Sequence, residues 1–104
     1  LLAQAVTNIL TNAVRYARET ILVQIHTDAG SACISIQDDG PGIAYEDLPH
    51  LFDRFYKGNK GQFGLGLAIA HSAVTAMNGV LTVENASPGG AVFRICLPLV
   101  QSVP

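Results

Sequence analysis

Tryptophan is missing, methionine occurs once and cysteine twice, and only 13% of the 104 residues are charged. Six basic residues against eight acidic ones leave a net charge of -2, which excludes the dense basic face that general nucleic-acid binding requires. No window reaches the roughly 18 to 20 unbroken apolar residues of a membrane span, so no direct membrane contact is expected. The two cysteines and three histidines have no metal-site spacing. Two thiols without a signal peptide fit a reducing compartment better than a disulfide scaffold, and Cys33 and Cys96 need not be neighbours. Repeats and low-complexity runs are absent. So are the P-loop pattern Gly-x4-Gly-Lys-[Ser/Thr] and a dinucleotide Gly-x-Gly-x-x-Gly after the first strand.

What remains is 49% hydrophobic, enough for one core, and residues 1–104 are expected to form a single domain. The chain starts inside a helical pattern without an initiator methionine, so a fragment of a longer protein is expected. Residues 1–18 carry one apolar stripe, Leu2, Val6, Ile9, Ala13, Val14 and Ala17, at helical spacing. A second stripe holds Asn8, Asn12, Arg15 and Tyr16. Asparagine is a mediocre helix former, and a merely solvated face would favour Glu, Lys and Gln, so this stripe points to binding.

Ile21 to Thr27 alternates, with Ile21, Val23 and Ile25 on the inward phase, and Asp28-Ala29-Gly30-Ser31 turns it into a second strand. In that strand Asp38 falls in phase with Ala32, Ile34 and Ile36. A carboxylate on a core-facing phase requires a binding partner, and Gly40 and Gly42 around Pro41 allow close backbone approach. Asp39 is out of phase and expected to be solvated. Phe52 and Phe55 are expected to anchor the following loop to the core. Gly58 to Gln62 offers little to bury and is expected to act as a lid.

Phe63-Gly64-Leu65-Gly66-Leu67 then opens a helix ended by Asn78-Gly79, and glycines at such a start present backbone N–H groups to phosphates. Val80 to Glu84 and Ala91 to Leu97 form a second hairpin, with Leu81, Val83, Phe93, Ile95 and Leu97 inward. The expected architecture is an α/β (α+β) two-layer sandwich: a mixed, mostly antiparallel sheet, helices on one face and the other face wet. A core-side carboxylate, a carboxamide stripe, a cationic loop and a glycine-rich helix start together suit a nucleotide with Mg²⁺.

The chain resembles the catalytic and ATP-binding domain of bacterial sensor histidine kinases, in the GHKL ATPase superfamily that also includes gyrase and a heat-shock chaperone. Asn8 to Tyr16 looks like its N box, Asp38-Asp39-Gly40-Pro41-Gly42 its G1 box, Phe52-Asp53-Arg54-Phe55 its F box and Gly64-Leu65-Gly66-Leu67 its G2 box. The resemblance implies ATP and Mg²⁺ as cofactors. By it Asn12 is the metal ligand with Asn8 beside it, Arg15 contacts phosphate, and Tyr16 lines the pocket. Asp38 binds the adenine amino group, with Gly40, Gly42 and Ile43 around the base. Lys57 reaches the phosphates from the lid, and Gly64, Leu65, Gly66 and Leu67 complete the nucleotide site. Asn8, Asn12 and Lys57 form the catalytic set.

In superfamily members that hydrolyse ATP, and in related serine kinases, a Glu base stands where Asn8 does here. Asn8 cannot take a proton at neutral pH. The resemblance therefore implies a domain that holds ATP while a histidine of a separate helical phosphoacceptor and dimerisation domain attacks the γ-phosphate. It also implies a cognate response regulator, a homodimer formed through that other domain, and a cytoplasmic position in a parent anchored in the bacterial membrane. A GHKL-type ATPase or serine kinase, and a non-catalytic nucleotide-binding module, are the alternatives. None of His26, His50 and His71 is followed by the acidic residue usual beside the acceptor. The pattern departs from the family at Phe63, where a small hydroxyl residue is common, in a short lid, and in lacking the strand before the N box.

Overall fold

The computed structural model describes residues 1–56 and 65–99. Their order is α1 (Leu2–Tyr16), β1 (Ile21–Asp28), β2 (Ser31–Asp38), one 3-10 turn (Leu48–His50), α2 (Leu65–Ala76), β3 (Val80–Asn85) and β4 (Ala91–Pro98). The strands form one sheet in the order β1-β2-β4-β3. All three joins are antiparallel, so the sheet is not mixed as expected. Antiparallel pairing follows from the chain itself: two hairpins supply four strands, and β2 meets β4 head to tail.

The apolar stripe of α1 packs through Ala5, Ile9 and Ala13 against Leu67, Ala70, Ala73 and Val74 of α2, and both helices lie on Ile36, Leu81, Phe93 and Ile95 of the sheet. Ile9, Ile36, Leu51, Val74, Phe93 and Ile95 are the largest side chains fully withdrawn from water. Each such burial stabilises the fold by roughly 1.5–3 kcal/mol before conformational entropy is counted. Helix α2 ends as its sequence implies. Asn78 adopts φ 60°, and the Gly79 N–H donates to the Val74 carbonyl at 2.9 Å, closing the last turn.

Three expectations fail here. The first concerns β1, whose inward phase is not buried: Val23 is 48% and Ile25 73% exposed. The helices sit over β2, β4 and β3, leaving β1 an edge strand with uncovered apolar residues. Val14, placed on the stripe of α1, is likewise exposed. The second concerns the cysteines. Cys33 and Cys96 are register partners across β2 and β4, their Cα atoms 4.1 Å apart, and their sulfurs form a disulfide. It lies on the sheet face away from the helices, beside Ser35 and Arg94, whose Nε donates to the Ser35 hydroxyl at 3.3 Å. The third concerns Phe55. Phe52 does anchor its loop, packing edge-on to Phe93 and stacking on His71 at 5.0 Å. Phe55 instead stands 66% exposed at φ 66°, under the Arg54 guanidinium.

Candidate nucleotide site

The candidate site is built where β2 ends. Asp38 pairs with Ile21 in the sheet and is only 4% exposed, so the strand alternation does bring a carboxylate inside. Its Oδ1 accepts the Gly40 N–H at 2.8 Å, folding the chain sharply after the strand. Gly40 is buried against the end of α1, so close that a Cβ would overlap the Tyr16 carbonyl oxygen. This contact joins the N-box helix to the turn. Tyr16 and the Asp38–Gly40 turn meet directly, and Asn12 and Asn8 follow one and two turns back along α1, both half-buried.

The far side of the turn is fixed by a residue that sequence reasoning treated only as part of a loop. The Ile43 N–H donates to Asn85 Oδ1 at 2.7 Å, and Asn85 Nδ2 donates to the Ile43 carbonyl at 2.8 Å. Gly42, at φ 81°, lies beside this amide. Beyond it, Asp47, 3% exposed, accepts the Tyr56 hydroxyl at 2.5 Å. That bond, with burial and nearby carboxylates, holds the Tyr56 phenol above its ordinary pKa. It braces the loop against Leu51, which is fully buried. No sequence signal marks the Asp47–Tyr56 pair.

Asp39 is not simply solvated, contrary to expectation. One carboxylate oxygen accepts the Arg18 N–H at 2.7 Å and the Glu19 N–H at 3.1 Å, tying the α1–β1 connection to the turn. The Glu19 N–H, with those of Arg18 and Thr20 and the Thr20 hydroxyl, holds the Asp39 carboxyl below its ordinary pKa of 3.8 against a smaller opposing effect of burial. A lowered folded pKa contributes stability that is present above the unfolded value and lost as pH falls through the folded one. Thermal melts of wild type should therefore show an added loss of stability below pH 3.8, and Asp39→Asn should remove part of that loss. Identical acid profiles for the two proteins would refute this assignment.

At the other wall, α2 begins at Leu65. Leu67 is buried in the core, while a Cβ on Gly66 would meet nothing within 4 Å among the described residues. Lys57, Gly64, Phe63 and the expected lid lie outside the described residues. The three histidines have ordinary surroundings. His26 is exposed on β1, His50 Nδ1 lies 3.1 Å from Asp53 Oδ2, and His71 stacks on Phe52. A cavity of about 470 Å³ is lined by the turn itself, Asp38 to Pro41, together with Arg18, Thr20, Leu22, Gln37, Pro88 and Gly89, and no residue of the Asn8–Tyr16 stripe lines it.

Mg²⁺ suits the donor set only as part of a nucleotide complex. Among the described residues no three His, Cys, Asp or Glu side chains group together as a cage. The half-buried Asn12 carboxamide carries a hard oxygen of the kind that would suit Mg²⁺ held also by phosphates and water.

Residues 1–101 match the family model described as histidine kinase-, DNA gyrase B-, and HSP90-like ATPase. The sensor protein RstB of Escherichia coli strain K12 is 36% identical over 110 residues, covering 100% of this chain and 25% of its own length. The sensor histidine kinase TrcS of Mycobacterium tuberculosis is 41% identical over 112 residues, covering 96% of this chain and 22% of its own. The chain thus spans about a quarter of these relatives. Among solved structures, the mycobacterial sensor histidine kinase MprB superposes with a TM-score of 0.81 at 33% identity, over 91% of this chain and 70% of that one. Full-length ShkA in complex with AMPPNP gives 0.83 at 29% identity, over 97% and 22%. The four motifs, the sheet that carries them and the matched relatives converge: this chain belongs to the histidine kinase-, DNA gyrase B-, and HSP90-like ATPase family.

Proposed function

We propose that this chain is the Mg-ATP-binding domain of a sensor histidine kinase and presents the γ-phosphate to a histidine on a separate phosphoacceptor and dimerisation domain. The observation that carries it is the buried Asp38 carboxylate. Gly40 occupies one oxygen, Oδ1, and the other is the one proposed to meet the ligand. A carboxylate oxygen so placed accepts an N–H from the exocyclic amino group of adenine. Gly40, Gly42 and Ile43 are the residues that would flank the base. Asn12 offers the oxygen that Mg²⁺ bound to the phosphates requires, Arg15 and Lys57 supply positive charge, and the glycine motif from Gly64 to Leu67 belongs to the phosphate-binding set that the resemblance implies. When bound, the metal neutralises phosphate charge.

Asn8 is decisive for the type of transfer. It stands one turn before Asn12 on α1, and a carboxamide cannot deprotonate water. The γ-phosphoryl group therefore passes to an imidazole supplied by the other domain, breaking its bond to ADP. His26, His50 and His71 have no part in this. The remaining partners follow from the same reading: a response regulator that takes the phosphoryl group, a homodimer formed by the other domain, and a parent protein anchored in the membrane with this part in the cytoplasm.

The test is calorimetry of Mg²⁺-AMPPNP binding, joined to labelling with γ-labelled ATP. Binding is expected, with no label on the chain's own histidines until an acceptor domain is added. Absent binding, or robust labelling of His26, His50 or His71, would refute the proposal, and steady ATP hydrolysis without a partner would favour a GHKL ATPase.

A further inference from the structure

The turn after Asp38 travels farther than its length suggests. It leaves the end of β2, passes the start of β4, and reaches the end of β3, the opposite edge of the sheet. Close main-chain contacts and the Asp39 bonds to Arg18 and Glu19 steady it on the way. Gly40 rests on the Tyr16 carbonyl, and Gly90, at the start of β4, backs against the Asp38 carbonyl. At its far end the turn is hydrogen-bonded by one side chain among the described residues. The carboxamide of Asn85 takes both hydrogen bonds of Ile43, accepting its N–H at 2.7 Å and donating to its carbonyl at 2.8 Å. Those two bonds copy what a neighbouring β-strand would offer. The same amide oxygen sits 2.9 Å from where a Cβ on Gly42 would lie, so it also limits the backbone one residue earlier.

The geometry points to Asn85 as a positioning residue of the nucleotide site: its carboxamide fixes Gly42 and Ile43 at the height where the base must slide in against Asp38. This rests on the nucleotide reading above and adds a residue that none of the four sequence motifs contains. A purely structural role fits poorly. Asn85 is exposed, in the last position of an edge strand, and its two bonds compete with water. Such bonds contribute little to global stability. Ile43 packs partly buried on the core, and the value of the two bonds lies in choosing one conformation for the main chain at Gly42 and Ile43. Only an amide can serve. Aspartate keeps the acceptor and loses the donor, serine is too short for both, and leucine, of similar size, has neither.

The experiment compares wild type with Asn85→Ala, Asn85→Asp and Asn85→Leu, reading Mg²⁺-AMPPNP affinity by calorimetry, melting temperature, and amide exchange at Ile43 by NMR. Asn85→Ala should bind about tenfold more weakly, the factor carried by one hydrogen bond of ordinary strength, while melting nearly as wild type does. Its Ile43 amide should exchange faster with the core amides of Ile36 and Ile95 unchanged. Asn85→Asp, retaining the acceptor, should recover part of the protection and part of the affinity. Wild-type affinity in Asn85→Ala, or affinity lost only in step with melting temperature across the three variants, would overturn the positioning role. If wild type itself fails to bind AMPPNP, the nucleotide reading falls and this inference with it. Should Asn85→Ala not fold, the shape-matched Asn85→Asp decides alone, since equal Ile43 exchange in it and wild type would show that the donor half of the clamp is idle.

Discussion

Replacing Asp38 by asparagine is expected to weaken Mg²⁺-AMPPNP binding by roughly ten- to a hundredfold while leaving the fold intact, because hydrogen bonds to charged groups are worth about 1.5–3 kcal/mol. The two side chains have almost the same shape, and Asp38 is nearly enclosed, at 4% exposure, so packing hardly changes. What changes is polarity at two fixed points. One terminal atom must accept the Gly40 N–H, at 2.8 Å from Oδ1. The other must accept from the ligand. An aspartate supplies two acceptors, whereas asparagine supplies one acceptor and one donor, and either orientation sets a donor against a donor. If the amide oxygen keeps Gly40, its NH₂ faces the amino group of adenine. If it turns to the ligand, the NH₂ opposes Gly40 and the turn loosens. Asp39→Asn is the control. Its carboxylate serves the backbone of Arg18 and Glu19 and lies outside the adenine contact, so its binding loss should be much smaller. Calorimetry on the two variants, with circular dichroism to check folding, decides the matter: equal losses would remove Asp38 from base recognition.

The contrast between these neighbours shows what the sequence could and could not reveal. Alternation along β2 placed Asp38 in phase with Ile36, and both are buried, because a period of two fixes the face whatever lies across the sheet. The helical period likewise placed Ile9 and Ala13 in the core. Alternation is silent on whether a face is covered. Val23 and Ile25 alternate as well as Ile36 does, yet β1 is an edge that the two helices do not reach. Long-range partners were also out of reach. Asp39 bonds to a backbone 20 and 21 residues earlier, Asn85 to one 42 residues earlier, and Cys33 meets Cys96 across 63 residues. Each pairing depends on strand order and register, which no local pattern encodes. The motifs stood out because their chemistry conflicts with packing: asparagines mid-helix, a carboxylate on an apolar phase, glycines at a helix start. Asn85 conflicts with nothing, since an asparagine before Ala86-Ser87-Pro88 reads as ordinary turn chemistry.

Gly90→Ala is expected to be among the most damaging small substitutions of the described residues. Gly90 adopts φ 93°, a conformation that costs a side-chain-bearing residue on the order of 1–3 kcal/mol. A second penalty is steric. The added Cβ would overlap the Asp38 carbonyl oxygen, lie 2.7 Å from the Asp38 carbonyl carbon and 3.2 Å from its Oδ1. Two of these three atoms are backbone in a buried strand end, so relief requires β2 and β4 to part where they frame the site. Together the penalties reach about 3–5 kcal/mol, a large share of the 5–15 kcal/mol that holds a domain of this size. At roughly 4–8 °C per kcal/mol for a small domain, the melting temperature should fall by more than about 10 °C. Gly89→Ala separates this from a general intolerance of the loop, because a Cβ there meets only the Gly40 carbonyl at 3.6 Å, an ordinary contact. Its melting temperature should stay within about 2 °C of wild type, as for most substitutions away from a packing fault. A Gly90→Ala protein that melts with Gly89→Ala would mean that the strand ends are not locked as described. Where it does fold, nucleotide affinity should fall further than in Asn85→Ala, since the displaced group is the main chain of Asp38 itself.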